Sequence, residues 1–376
     1  MSRVILIVYL FILYGLIHRS GLSQKVKNKR FIILASIGFI IDSGFRHLCI
    51  GPDTYQYYLM FEEAKDYSFL ELFDSTFRIG NYTSIKDAGY WLFQKGFQFL
   101  FPSFRLFLIF IAVLFFTALG RLLYRYLDDE KSILISYLFY IGMFWYFFST
   151  TGCRQTIAVS LLILAFPILE KGEYIKYSLV VVLSAFFHAS AIVALLGLAV
   201  LAIRSKWFYF GLVFILIPIV FAARYQLFGF LIERMEMEDV YGVYLETKEA
   251  ATSISVTLLY LFTLVLCIIY RERLSANKGI DYCSKLFFIG MCFLPTMFIA
   301  ATAMRVTFYF TYTMYILVPF ILKQIKLSNK YGIAIVIMLF LSFFSIRQTW
   351  DYKFFWENGR VTSYGHSFMV KEDLPF

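Results

Sequence analysis

The feature that most limits what this chain can become is its succession of long apolar runs, such as FRLFLIFIAVLFFTALG (104–120) and RQTIAVSLLILAFPIL (154–169). A bilayer core asks for roughly 17–25 mostly apolar residues per helical span. It offers no water to backbone amides, so such runs cross it as helices. Residues are 60% hydrophobic and only 16% charged, against about 25% charged in soluble domains. The expectation is one all-α polytopic membrane domain over 1–376. The opening MSRVILIVYLFILYGLIHRSG lacks a small-residue cleavage site and reads as a first membrane helix rather than a removed leader.

Twelve spans are expected, near 4–17, 31–45, 104–120, 132–148, 155–169, 174–187, 189–203, 207–222, 253–270, 286–303, 306–322 and 331–346. The stretch 174–203 is divided at FHAS because one uninterrupted span would bury His188 and Ser190 centrally. Charge supports the division. With HRSGLSQKVKNKR (18–30) inside, the short inner segments 18–30, 121–131, 171–177, 204–206, 271–285 and 323–330 hold 19 of the 35 Lys and Arg residues. Most of the 25 acidic residues fall elsewhere. This is the positive-inside bias of short loops. It makes the net charge of +10 a topology signal and removes support for nucleic-acid binding. The outer face then receives the loop 46–103, the loop 223–252 and the tail 347–376.

Five cysteines, Cys49, Cys153, Cys267, Cys283 and Cys292, show no metal spacing; Cys49 and Cys153 could share a face and pair, though isolated thiols are the simpler reading. Gly-rich phosphate loops, HExxH and GxSxG are absent from the sequence. No metal or cofactor is expected.

Polar side chains gather on the outer face. Arg46, Arg154 and Arg305 come from distant parts of the chain and stand where an apolar span meets outer water. A lone interfacial arginine is ordinarily explained by snorkelling. Three of them on the face that should be poor in positive charge point instead to an anion, and guanidinium forks match phosphate oxygens. Gln155 adds an amide beside Arg154. Asp53, after Gly51 and Pro52, caps the helix TYQYYLMFEEA or handles a hydroxyl at the mouth of the loop. His188 is either a structural group at a helix junction or a base and hydrogen-bond donor. Tyr55, Tyr57, Tyr58, Phe61, Tyr90 and Trp91 read mostly as an interfacial aromatic belt, with one or two free to stack on sugar rings.

The stretches GPDTYQYY (51–58), GCRQTIAVSLLILAFPILEKGEYIKYSLVVVLSAFFHASAIVAL (152–195) and MRVTFYF (304–310) resemble the EpsG-like proteins, relatives of the Wzy O-antigen and capsule polymerases. The resemblance runs from about residue 45 to 322 and is most specific where RQxIA is followed about thirty residues later by FHxSA. The family often has Thr where Pro52 stands, and Glu in the region of DAGY, where this chain has Asp87. The resemblance implies a GT-C-like membrane glycosyltransferase in the bacterial cytoplasmic (inner) membrane, with its site on the periplasmic or extracellular face. It would join oligosaccharide repeat units carried on undecaprenyl diphosphate into O-antigen, capsule or exopolysaccharide, without a nucleotide sugar. On this reading Asp53, His188 and Arg154 are catalytic, while Arg46, Arg154, Gln155 and Arg305 bind the lipid diphosphate. The implied partners are the lipid-linked oligosaccharide, with a chain-length regulator and a flippase of the same pathway as candidates. Two alternatives stand beside it. A lipid-linked oligosaccharide flippase would want a mid-membrane site reachable from both sides; a membrane O-acyltransferase acting on polysaccharide would use His188 as base.

Overall fold

Apolar runs that cannot hydrogen-bond outward close their own ladders, and the chain is accordingly helical almost throughout. The computed structural model describes residues 2–51, 53–77, 87–143, 145–202, 206–226, 229, 254–298, 303–346, 352–357, 361–363 and 366–368. Ten helices lead in: α1 (Ser2–His18), α2 (Gln24–Gly44), α3 (Thr54–Glu63), α4 (Phe69–Phe77), α5 (Ala88–Leu100), α6 (Phe104–Tyr126), α7 (Glu130–Met143), α8 (Trp145–Thr150), α9 (Cys153–Lys171) and α10 (Tyr174–Phe187). The only strands among the described residues, Val361–Ser363 and His366–Phe368, form a small antiparallel hairpin in the tail.

Each of the twelve expected segments is helical over most of its described length. The division at FHAS is real: α10 stops at Phe187, and a tighter 3-10 turn, Ala189–Leu198, continues beyond His188. Among the described residues, α6 and α9 are long and apolar enough to cross a membrane singly. Met304–Thr311 with Met314–Gln324, bent by 60°, adds a third if the pair is one span. The other apolar helices are shorter, so twelve crossings remain an expectation while the membrane character does not. Nearly all of the acidic stretch 223–252 lies outside the described residues.

The chain packs as two compact units. One comprises residues 1–164, 179–192 and 327–376. In it α2 lies along α6, and α7 fits against α1, α2 and the helix Lys330–Ile346. Aromatic rings fill the centre: Phe39 stacks on Phe116 and Tyr137 at 5.1 and 5.3 Å and meets Tyr140 edge-on. The buried hydroxyls of Tyr137 and Tyr140 pair with Ser36 and Ser149, as buried tyrosines require. A second cluster, with Tyr57, Phe61, Tyr90, Phe104, Phe107 and Cys153, fastens α3 and α5 onto α6 and the start of α9.

The other unit comprises residues 165–178 and 193–326. Its centre is the helix Lys278–Cys292, buried along most of its length and packed on Lys206–Ala222 and Met314–Gln324. Asn277 starts that helix by accepting the Gly279 and Ile280 amides at 3.0 and 3.2 Å. Buried Lys285 is neutralised one turn on by Asp281 at 2.7 Å.

Candidate functional site

Asp87 stands immediately before α5 with a left-handed backbone, φ 56° and ψ 53°. It is the one non-glycine residue with positive φ among those described. Asp is one of the few side chains that tolerate this region. Its neighbour Gly89 allows the start of α5 to press on the end of α10: a Cβ there would lie 2.5 Å from the Phe186 carbonyl oxygen. Asp87 is thereby carried to the His188 junction.

Three groups converge on the Asp87 carboxylate. Oδ2 accepts from Arg154 Nη1 at 2.8 Å and lies 3.3 Å from His188 Nδ1; Oδ1 accepts the Ala189 amide at 3.0 Å. The Asp87 side chain is 1% exposed, His188 15% and Arg154 20%. Burial alone would push the Asp87 carboxyl up. The His188 hydrogen bond and charge, the Arg154 guanidinium and the Ala189 amide together outweigh burial and hold it below its ordinary value. Asp87 is therefore a buried anion at neutral pH, and it fixes one cation and one imidazole from distant helices.

Arg154 occupies the first turn of α9, which begins at Cys153. Its guanidinium lies 5.7 Å from the Tyr57 ring centre. Burial pushes that phenol up to about 12, with Arg154 opposing. Arg154 Nε is buried and has no hydrogen-bond partner among the described residues. One edge of the fork is thus committed to Asp87, while the Nε donor remains for a further acceptor.

The other expected site residues are distributed as follows. Arg46 is buried, and three of its nitrogens are engaged by protein: Nη1 donates to Ser43 O at 2.6 Å, Nε to Thr54 Oγ1 at 3.3 Å and Nη2 to Cys153 Sγ at 3.6 Å. Asp53 precedes α3 without a side-chain cap bond, and its charge acts on Tyr57 and Cys153. Gln155 is buried beside Arg154. Arg305 belongs to the other unit, half-buried in the 3-10 turn Ala303–Thr307. No disulfide joins Cys49 and Cys153. No cluster of three or more His, Cys, Asp or Glu side chains among the described residues is placed to hold a metal ion.

Sequence reasoning missed the centre of this arrangement. Asp87 stood out in the sequence only as the residue in the DAGY region, where the resembling family often has Glu. Tyr57 and Tyr90, read as belt residues, are buried with their rings 5.9 Å apart. The tail adds a further element. His47 donates its amide to Lys353 O at 2.9 Å, Phe355 donates to Phe45 O at 3.0 Å, and Arg105 stacks 3.2 Å over the Phe355 ring. Residues 352–357 therefore strap the segment that carries Arg46.

No curated protein and no solved structure matches the chain. The model of the EpsG family matches residues 29–365, nearly the whole length, and the chain belongs to that family.

Proposed function

We propose that this protein is a polysaccharide polymerase of the outer face of the bacterial cytoplasmic membrane. On this reading it joins oligosaccharide repeat units carried on undecaprenyl diphosphate. Membership of the EpsG family supports a polymerase-like role in polysaccharide synthesis. The observation that carries the mechanism is the convergence of Arg154 and His188 on buried Asp87.

A hydroxyl at the non-reducing end of the incoming unit attacks the anomeric carbon of the growing glycan. The bond from that carbon to the lipid diphosphate breaks, and the diphosphate departs with the electron pair. Arg154 meets the charge that develops on the leaving oxygen, using donors held in place before the reaction starts. With Nδ1 directed to Asp87, the basic nitrogen of His188 is Nε2, and it receives the proton lost by the attacking hydroxyl. Asp53 hydrogen-bonds the acceptor sugar, and Gln155 contributes to the diphosphate site. Arg46 acts there through Cys153 and Thr54 rather than by direct contact.

The test is a glycan ladder beside a membrane-protein blot. Lysine keeps the charge of Arg154 but not its planar fork, whereas a snorkelling arginine tolerates lysine. Arg154→Lys should insert normally, lose most polymer and accumulate single lipid-linked repeats. A full ladder from Arg154→Lys would reduce this side chain to an anchor. Deletion of the gene separates the rivals: single repeats mean a polymerase, loss of all surface glycan a flippase, and polymer of normal length an acyltransferase.

A further inference from the structure

The helix that follows Asp87 presents a face that the site does not use. α6 is long and apolar enough to cross a membrane, and it begins at Phe104. α3 and α5 both pack across its first turns, at different depths. α3 meets it at Phe104 and Phe107, through Tyr58 and Phe61. α5 meets it further in. Tyr90 packs on Phe107, and both Phe93 and Phe97 pack on Phe107 and Phe110, with ring centres 5.1–6.0 Å apart. Two turns of α5 therefore stay at one level of α6, so α5 crosses the span rather than running along it. At a rise of about 1.5 Å per residue, that level is about 5–9 Å inside the head of the span.

The sides of α5 match that placement. Gln98 donates to the Phe61 carbonyl of α3. Lys95, the only charged side chain on α5, reaches back to the Lys65 carbonyl just past α3, at 2.8 Å. An ammonium drawn off its own helix to a polar turn has the posture of a snorkelling lysine. The other side carries Gly96, Phe99 and Leu100, which share a face at helical spacing. Phe99 is 82% exposed and Leu100 68%. A Cβ on Gly96 would meet nothing within 4 Å. Water is a poor partner for such a face, and the level on α6 supplies a better one. Leu106 and Val113, the outward side chains of α6 above and below that level, are exposed as lipid-facing residues are.

We propose that α5 lies in the plane of the bilayer within the outer leaflet, with Gly96, Phe99 and Leu100 against acyl chains and Lys95 and Gln98 turned to the water side. Interfacial amphipathic helices bury their apolar face about 5–10 Å into the headgroup–acyl boundary, the depth at which α5 crosses α6. The loop 46–103 is then partly embedded rather than wholly in water. Because Asp87 immediately precedes α5, the docked helix also sets the depth of the carboxylate that holds Arg154. The placement is independent of the polymerase reading.

Spin labelling of full-length protein in phosphatidylcholine vesicles tests it. Gly96→Cys and Phe99→Cys carry the nitroxide, each read against the unsubstituted protein treated identically. Val113→Cys on α6 is the lipid reference, and Asp66→Cys, exposed in the turn after α3, is the aqueous one. Oxygen partitions into the bilayer, whereas a nickel chelate stays in water. Labels at Gly96 and Phe99 should collide preferentially with oxygen, as at Val113, and report a depth of about 5–10 Å below the lipid phosphates. The label at Asp66 should prefer nickel. Open space around Gly96 keeps its label from disturbing the packing of α5. Preference for nickel at either α5 position would mean that the face stands in water, and would overturn the proposal. Poor collision with both reagents at either position would mean that protein covers the face, and would overturn it equally.

Discussion

The Asp87 carboxylate and the Arg154 guanidinium, 67 residues apart in sequence, meet at 2.8 Å with the aspartate side chain 1% exposed. A buried ion pair of this kind is hard to break from one side. Removing one partner leaves an uncompensated buried charge, at a cost of about 3–5 kcal/mol. Arg154→Ala should therefore lower the amount of folded protein as well as its activity. Asp87→Asn, nearly isosteric, should keep more protein in the membrane. It releases His188 and Arg154 from a fixed geometry, so polymerisation should fall by about 10²–10⁴-fold, the usual contribution of a general acid–base group. Normal ladders from Asp87→Asn, at normal protein level, would make the cluster purely structural.

Acid should dissolve the same cluster in a definite window. The Asp87 carboxyl is held below its ordinary value of 3.8. A depressed carboxyl stabilises fully above the unfolded-state value, and that stability is lost as pH falls through the folded value beneath it. The gap in melting temperature between wild type and Asp87→Asn should accordingly owe nothing to Asp87 titration above about pH 5, and should close below about pH 4. Melting curves of detergent-purified protein across that range check the sign. A gap that widens as pH drops below 4 would contradict it.

His188 has the weaker tie to the cluster, 3.3 Å against 2.8 Å for Arg154. Its main-chain role survives any side-chain change, because the Ala189 amide, not the ring, holds Asp87 Oδ1. His188→Ala should leave the protein in the membrane and shorten the polymer or slow its synthesis. Wild-type chain lengths at normal expression would return His188 to a helix-junction role.

Much of this arrangement was legible before any coordinates, and the part that was not has a physical reason. Apolar length and charge asymmetry located the helices, and a polar FHAS inside an apolar stretch located the break after Phe187. Arg154 at the head of an apolar run fell where expected, in the first turn of α9. What sequence does not carry is which side of an apolar helix meets lipid and which meets protein, because both sides are apolar. Tyr57 and Tyr90 were misjudged for that reason. The convergence on Asp87 is not legible in the sequence because its partners lie 67 and 101 residues away, beyond any local pattern. Arg46 was found as a residue but not as a structural clamp, since its three acceptors belong to three separate segments.

That clamp makes its own prediction. Arg46 donates to Ser43 O, Thr54 Oγ1 and Cys153 Sγ from one planar group. A lysine ammonium has three donors but not the fork geometry, and here it would be buried. Arg46→Lys should reduce folded protein in the membrane and reduce polymer in proportion, with no build-up of single repeats per molecule of enzyme. Accumulation of repeats at full protein level would instead give Arg46 a direct part in diphosphate binding.

Gln94 leads to the most counter-intuitive expectation. It lies one turn beyond Tyr90 on α5, is fully buried, and neither its amide oxygen nor its nitrogen has a hydrogen-bond partner among the described residues. The Tyr90 hydroxyl is in the same position. A buried polar group left unmatched costs about 1–3 kcal/mol. Gln94→Leu, close in volume and without polar atoms, should therefore raise the melting temperature of the purified protein and leave the polymer ladder unchanged. Gln94→Glu should do the reverse, because burying a carboxylate costs more than burying an amide. A fall in melting temperature for Gln94→Leu would mean that ordered water satisfies the amide in the resting protein. An unchanged melting temperature with a lost ladder would mean that a substrate hydroxyl does so during the reaction, and would extend the sugar site along α5 from Asp87.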